Sequence, residues 1–460
     1  MARTAWRRTA LLLVTAAGAG ALVAPQAAQA AQTTQSAQAA QAAQAAPPTR
    51  AAPRAGDPVR AIERSAHPLR STDPGGSTAD LRPLGRMVGG AEVVGLGEAT
   101  HGSHEFFTMK DRVFRYLVEK KGFTTFAQEI SWTTGLRFDA YVRGGKGDVR
   151  KLVHDELAET PWDTDEYVRL LTWMRAYNQK HPDRQVRFMG NDLNYPHQGT
   201  EVFDAVRSYV RAHEPDLAER VDALYAPLRR LTDSDVFWKL PMAERKRLTK
   251  RAEEVHGLLE GRRPAHGGRA HAWALRNAES IAETAQILTY DDTDQGVKDA
   301  MLHRDRLMAR NTAWWQRYTG GKVLLSAHNA HVGYESYDQR YPKMQGAFLR
   351  DALGKRYRSI GFTFDRGAFM AQSETSTVWR ERSVGAATPG MNEYTLDKVR
   401  HDDYVVDLRT LPATARTWLD KARPTRSIGT AYPDGPWPIR LGASHDILIH
   451  LHQVTAAHRQ

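Results

Sequence analysis

The sequence predicts an α/β fold: a mainly parallel sheet flanked by helices, with an inserted all-helical lobe. Three observations predict it. Short apolar runs at 92–95, 123–127, 186–189, 323–325, 359–364, 404–408 and 447–451 read as buried strands. Long helical patterns separate the early runs, the alternation that puts helices on both faces of a parallel sheet. From about 200 to 318 the chain is almost all helical periodicity with charged faces, broken at Pro215, Pro227, Pro241 and Gly267-Gly268. A helical lobe between the third and fourth strands is therefore expected.

The chain opens with Arg3, Arg7 and Arg8, an apolar run over 10–24, and Ala28-Gln29-Ala30, a small-x-small cleavage pattern. The run is too short for a comfortable membrane span. Residues 1–30 thus read as an export signal, by the general or the twin-arginine route, and a secreted, extracellular protein is expected. A Gln/Ala-rich and then Pro-rich stretch over 31–56 has no apolar periodicity that could pack on a core, and reads as a disordered spacer. Folding is expected from Asp57, leaving residues 57–460 for one large domain with its inserted lobe. The absence of a second long apolar run argues against stable membrane insertion after cleavage.

The sequence has no cysteine, which removes disulfides, a thiolate nucleophile and Cys-based metal sites from consideration. Its formal charge is +11; five arginines, at positions 3, 7, 8, 50 and 54, lie in the signal and spacer, which hold no acid, so the body carries +6. That excess is dispersed, with only short clusters such as Arg245-Lys246-Arg247 and Lys250-Arg251. It makes no nucleic-acid footprint and reads as solvated helical faces.

Polar groups recur where the strands end. Glu98 and His101 follow the first strand, Glu129 the second, Asn191 and Asp192 the third, and His328 and His331 the fourth. In open α/β sheets the ligand crevice lies at the carboxyl ends of the strands. Four consecutive strands carrying ionisable groups to one end is the main bottom-up argument for a site.

Two helices add charged groups on apolar stripes. In the helix expected over 105–119, Lys110 completes the stripe of Phe106, Val113, Phe114 and Leu117, so its ammonium either snorkels out or enters a polar pocket beside Glu98 and Glu129. In a later helix Arg304 and Asn311 fall on the stripe of Met301, Leu307, Met308, Trp314 and Trp315. Asn311 is read as a structural contact. Arg304, with its planar fork of donors, is read as holding an anionic or carbonyl group.

Three imidazoles and two carboxylates could satisfy zinc or manganese, but Lys110 would place positive charge beside the ion and no His-Glu-x-x-His element exists. No cofactor is therefore expected, and a catalytic metal is not favoured. The Asp291–Gly296 stretch lacks the spacing and closing glutamate of a calcium loop and reads as an acidic turn. No Gly-x-Ser-x-Gly elbow supports serine catalysis, and Ser326 reads as structural. What remains is a histidine general base acting on water, an adjacent carboxylate that fixes its tautomer, and cationic or imidazole donors for an oxyanion.

Gly97-Glu98-Ala99-Thr100-His101-Gly102, the Phe106-Phe107-Thr108-Met109-Lys110 helix start, Phe126-Ala127-Gln128-Glu129 and Ala327-His328-Asn329-Ala330-His331 together resemble the erythromycin esterase family, in order and spread. The resemblance covers most of the chain from Asp57 to the last predicted strand. It implies an α/β fold with a helical lobe, a deep cleft, and ester hydrolysis by water with His101 as general base. It also implies supporting roles for Glu98, Glu129, His328 and His331. Two departures stand out. Lys110 replaces the arginine of antibiotic-resistance members, keeping the charge without the bidentate geometry, and Gln128 stands where an aromatic or aliphatic residue is usual.

The expectation is a monomeric, secreted hydrolase of small-molecule carboxylic esters or lactones. His101, Glu98 and Glu129 are its catalytic residues, and Lys110, His328, His331, Arg304 and Asp192 bind substrate. Two other readings remain open: a metal- or haem-binding protein of the same fold, and a deacylase of cell-envelope polysaccharide.

Overall fold

The computed structural model describes residues 57–194, 198–231, 233–262 and 268–460. The expected signal and spacer, 1–56, lie outside the described residues. The strands are β1 (His67–Pro68), β2 (Val93–Leu96), β3 (Phe123–Ser131), β4 (Arg187–Asp192), β5 (Lys322–Ser326), β6 (Tyr357–Ser373), β7 (Ser376–Val384), β8 (Tyr404–Asp407), β9 (Arg423–Thr425), β10 (Trp437–Ile439) and β11 (Ile447–Val454). One sheet runs in the order β1-β8-β11-β6-β2-β5-β3-β4, with β7 paired to β6 beside that path. From β11 to β4 every neighbouring pair is parallel. The pairings of β8, β1 and β7 are antiparallel, and β9 and β10 form a separate antiparallel pair.

This is the α/β architecture that the alternating pattern predicts, and the reason is visible in which side chains point where. Val94, Phe126, Phe188 and Leu324 enter one apolar cluster, with Phe114 and Leu171 from the helices α1 (His104–Lys121) and α3 (Asp165–Lys180). Their strand neighbours Val93, Ala127, Met189, Val323 and Leu325 enter another on the opposite face. Side chains alternate faces along a strand, so a strand covered on both sides must be apolar at every position. The helix α2 (Trp132–Val142) leaves β3 directly and lies against β4 so closely that a Cβ on Gly190 would stand 1.9 Å from the Ser131 carbonyl oxygen.

Between β4 and β5 the described residues form helices and no strand. These include Glu201–His213, Met242–Glu260, Arg269–Ile287 and the 26-residue α4 (Asp294–Thr319). Helix α4 starts on a Thr293 cap and stops at Gly320 in the left-handed conformation (φ 69°). Trp315 near its end packs beneath the sheet, its indole donating to Thr125 Oγ1 at 3.0 Å. Among the described residues no helix is long and apolar enough to cross a membrane.

Several boundaries differ from the sequence reading. β3 continues through Glu129 and β4 through Asp192, so these carboxylates lie in strands rather than after them. Helix α1 spans His104–Lys121 rather than 105–119 and ends at Gly122 (φ 72°). β6 runs nine residues beyond its predicted end, because its second half pairs with β7 as a ribbon instead of being buried on both faces.

Candidate active site

The residues 98–103 form a turn between β2 and α1 that is fastened on three sides. The Gly102 carbonyl accepts from Met370 N and Ala457 N, each at 2.9 Å; the Ala99 carbonyl accepts from Ile428 N at 2.8 Å; and the Glu98 carbonyl accepts from Asn329 N at 2.9 Å. Gly102 is required here, since a Cβ would meet the Met370 carbonyl oxygen at 2.0 Å. The turn therefore presents Glu98 and His101 from a rigid backbone.

His101 Nδ1 lies 2.6 Å from Glu98 Oε1. The other oxygen, Oε2, pairs with the Lys110 ammonium, which also donates to the Ala327 carbonyl at 3.3 Å. All three side chains are at most 3% exposed. Burial pushes the Glu98 carboxyl up, but the Lys110 charge and the His101 hydrogen bond outweigh it and hold it below its ordinary value. An ionised Glu98 can only accept, so His101 carries its proton on Nδ1 and presents the Nε2 lone pair. Burial lowers the Lys110 pKa against the opposing pull of Glu98.

Glu129 anchors the other half. Its Oε2 accepts from His328 N at 3.0 Å, and its Oε1 lies 3.1 Å from Arg304 Nη2 and 3.2 Å from His331 Nε2. His331 Nδ1 in turn lies 2.8 Å from Asp305 Oδ1. Burial opposes the His331 charge, yet the two carboxylates raise its pKa to about 10. Against the same burial, His331 and Arg304 hold Glu129 well below its ordinary value. Arg304 lays Nε and Nη2 on Asp192, at 3.0 and 2.5 Å.

His328 joins the halves, its ring centroid 4.8 Å from that of His101. Burial and the nearby His101 lower its pKa to about 3, so it is neutral. Its Nδ1 accepts from Ala330 N at 3.3 Å, which puts the ring proton on Nε2. That Nε2 is buried without a hydrogen-bond partner. A lone pair on one ring and a free N–H on the other thus stand side by side, an acceptor for a water proton and a donor for an oxygen that gains charge.

All eight residues singled out from the sequence meet in this network. Four of the five expected to bind substrate, Lys110, Arg304, Asp192 and His331, pair with protein groups, Lys110 with the Glu98 carboxylate its place on the helix stripe allowed for. Lys110 spends two donors on Glu98 and a main-chain carbonyl, Arg304 is spent on Asp192 and Glu129, and Asp192 is spent on Arg304. Asn311 makes a structural contact, donating to the Asn191 carbonyl at 2.9 Å. His331 uses both ring nitrogens on carboxylates and offers no lone pair to a metal. The sequence reading missed Asp305, fully buried, although it lies four residues from Met301 on the stripe that revealed Arg304. It also missed Tyr337, Tyr341, Asp434 and Trp437, which with His328 and His331 line an open cleft. Burial lifts the Asp434 carboxyl in that wall to about 6.

An α/β sheet that gathers histidines and carboxylates at the carboxyl ends of its strands defines the class of protein; comparison with known proteins defines the family. The erythromycin esterase family model matches residues 118–454, which takes in Glu129, Asp192, Arg304, His328 and His331 and begins after Lys110. The chain belongs to the erythromycin esterase family. It is 26% identical to the type II erythromycin esterase of Escherichia coli over 316 residues, 62% of this chain and 71% of that one. It is 25% identical to the Bacillus subtilis putative hydrolase YbfO over 328 residues, 66% and 71% of the two chains. Among solved structures it resembles a succinoglycan biosynthesis protein at 32% identity and a TM-score of 0.79, with 88% of this chain and 98% of that one covered. A mutant erythromycin esterase in an open conformation shares the fold at a TM-score of 0.64 and 17% identity, over 83% of this chain and 96% of that one.

Proposed function

We propose that the chain is an exported hydrolase of carboxylic esters or lactones in which His101 activates water. The observation that carries this reading is the Glu98–His101 pair at 2.6 Å beside the unpartnered Nε2–H of His328. Water held at His101 Nε2 loses a proton to it as the water oxygen bonds to the carbonyl carbon. The carbonyl π pair moves to oxygen, and His328 Nε2–H donates to that oxyanion. When the pair returns, the carbon–oxygen bond to the leaving group breaks and the His101 imidazolium protonates the alkoxide, giving acid and alcohol.

Glu98 fixes the base, and Lys110 holds Glu98 ionised. Glu129 orients His328 through its main-chain N–H, with Arg304, Asp192, His331 and Asp305 bracing that carboxylate. No step uses a metal at the reacting atoms. The apolar run over 10–24, ahead of the Ala28-Gln29-Ala30 pattern, supports export.

A second reading, deacylation of an acylated sugar, is favoured by the cleft walls. Trp437 and Tyr337 line the cleft with aromatic rings on which a sugar can pack, with Asp434 beside them to accept hydroxyls. Screening the protein on macrolides, lactones, acyl sugars and aryl esters, with and without chelator, tests both. Turnover of any ester that His101→Ala abolishes supports hydrolysis, and the preferred substrate separates the two readings. No turnover across the panel, together with a haem Soret band or a stoichiometric metal at the site, overturns both in favour of a binding protein.

A further inference from the structure

We infer that His104, Glu166 and His458 form a zinc-class metal site, outside the reacting centre, that fastens the catalytic turn to the C-terminal tail. His104 opens α1 three residues after His101, Glu166 lies in the first turn of α3, and His458 belongs to the tail. Glu166 Oε1 is 2.5 Å from His104 Nδ1 and 3.3 Å from His458 Nδ1. One ligand atom from each residue lies within 4.8 Å of the others. Tetrahedral zinc with nitrogen and oxygen ligands at about 2.0–2.1 Å needs its ligand atoms roughly 3.3 Å apart, so side-chain adjustment alone closes the site.

Two observations separate this cluster from an ordinary ion pair. The Glu166 side chain is 2% exposed, yet its Oε2 has no hydrogen-bond partner. The His104 and His458 rings also face one another across that carboxylate, centroids 4.7 Å apart. A metal ion would take two neutral imidazoles and the carboxylate, and binding would release the proton shared by His104 and Glu166. Two nitrogens and one oxygen suit zinc, and the fourth position opens to solvent beside His458, whose side chain is 62% exposed. The starts of α1 and α3 oppose a cation, so the buried carboxylate supplies the attraction. A second cluster, Asp365, Asp397 and His452, already has a cation, because Arg366 lies 2.9 Å from Asp365 and 3.9 Å from Asp397.

The backbone already braids these segments. His104 N donates to the Thr455 carbonyl and Asp165 N to the His458 carbonyl, both at 2.9 Å. A metal at their junction would brace the turn that carries His101 without touching substrate.

The test is titration of untagged, metal-stripped protein with cobalt and then zinc, read by cobalt ligand-field absorption and by thermal melting. One equivalent of cobalt should give the intense visible bands of a tetrahedral site, and zinc should displace them and raise the melting temperature. His458→Ala, at an exposed position, should abolish the bands and weaken zinc by more than about tenfold, while His101→Ala and Asp397→Asn leave both intact. Absence of stoichiometric binding, or binding that survives His458→Ala, overturns the site. The readout needs no ester turnover, so its failure is distinct from failure of the hydrolase reading.

Discussion

His101 is held through Nδ1 by Glu98 Oε1 at 2.6 Å, which leaves Nε2 as its one site for a proton taken from water. His101→Ala should therefore lower kcat/KM for any ester substrate by about 10²–10⁴-fold, the usual worth of a positioned general base. The Glu98–Lys110 pair remains intact behind it, so the denaturation midpoint should stay close to that of the parent. Steady-state kinetics beside a urea titration checks both, and an active variant rules His101 out as the base.

Glu98 has a second duty, because Lys110 is 1% exposed and Glu98 is its carboxylate partner. Glu98→Gln strands a buried ammonium, and breaking such a pair from one side costs roughly 3–5 kcal/mol. The further change Lys110→Met should recover most of that stability, since an apolar chain of similar length replaces the charge. It should not recover activity, because His101 still lacks its anion. Denaturant midpoints for the single and double variants, set beside their turnover, separate the two effects.

The site was legible in the sequence to the extent that its residues sit in register with periodic elements. Glu98, Glu129, Asp192 and His328 mark the ends of buried runs, and Lys110 and Arg304 break helical stripes. Asp305 went unread because a carboxylate next to an arginine on a helix ordinarily faces solvent. The second half of β6 and all of β7 carry too few apolar residues, since their ribbon is exposed along most of β7. Tyr337, Tyr341, Asp434 and Trp437 come from irregular segments and a three-residue strand, where no period marks which side chains point inward.

His331 and His328 should give stability opposite dependences on pH. The His331 pKa rises from an ordinary 6.5 to about 10, so the native state holds this proton more tightly than the unfolded chain. Its contribution is complete below pH 6.5 and is lost as pH climbs toward about 10. The His328 pKa falls to about 3, so the unfolded chain binds a proton that the native state refuses, and stability is lost as pH drops from 6.5 toward about 3. Asp305→Asn should flatten the alkaline limb and His328→Gln the acid limb of a urea-midpoint profile. An unchanged slope on either limb contradicts the corresponding assignment.

Gly102 tests whether the catalytic turn must lie this close to β6. A methyl group there would meet the Met370 carbonyl oxygen at 2.0 Å, and that atom is main chain, so no side-chain rotation relieves the contact. The turn or β6 must move, which lengthens the Met370 N to Gly102 carbonyl hydrogen bond now at 2.9 Å. His101 is the next residue, and a displacement of about 1 Å at a reacting group can cost some 10²-fold in rate. Gly102→Ala should accordingly lower kcat by about that factor, with a smaller loss of stability than Glu98→Gln because no buried charge is exposed. Parent-like kcat in this variant would mean that the turn tolerates displacement and that His101 does not depend on its present position.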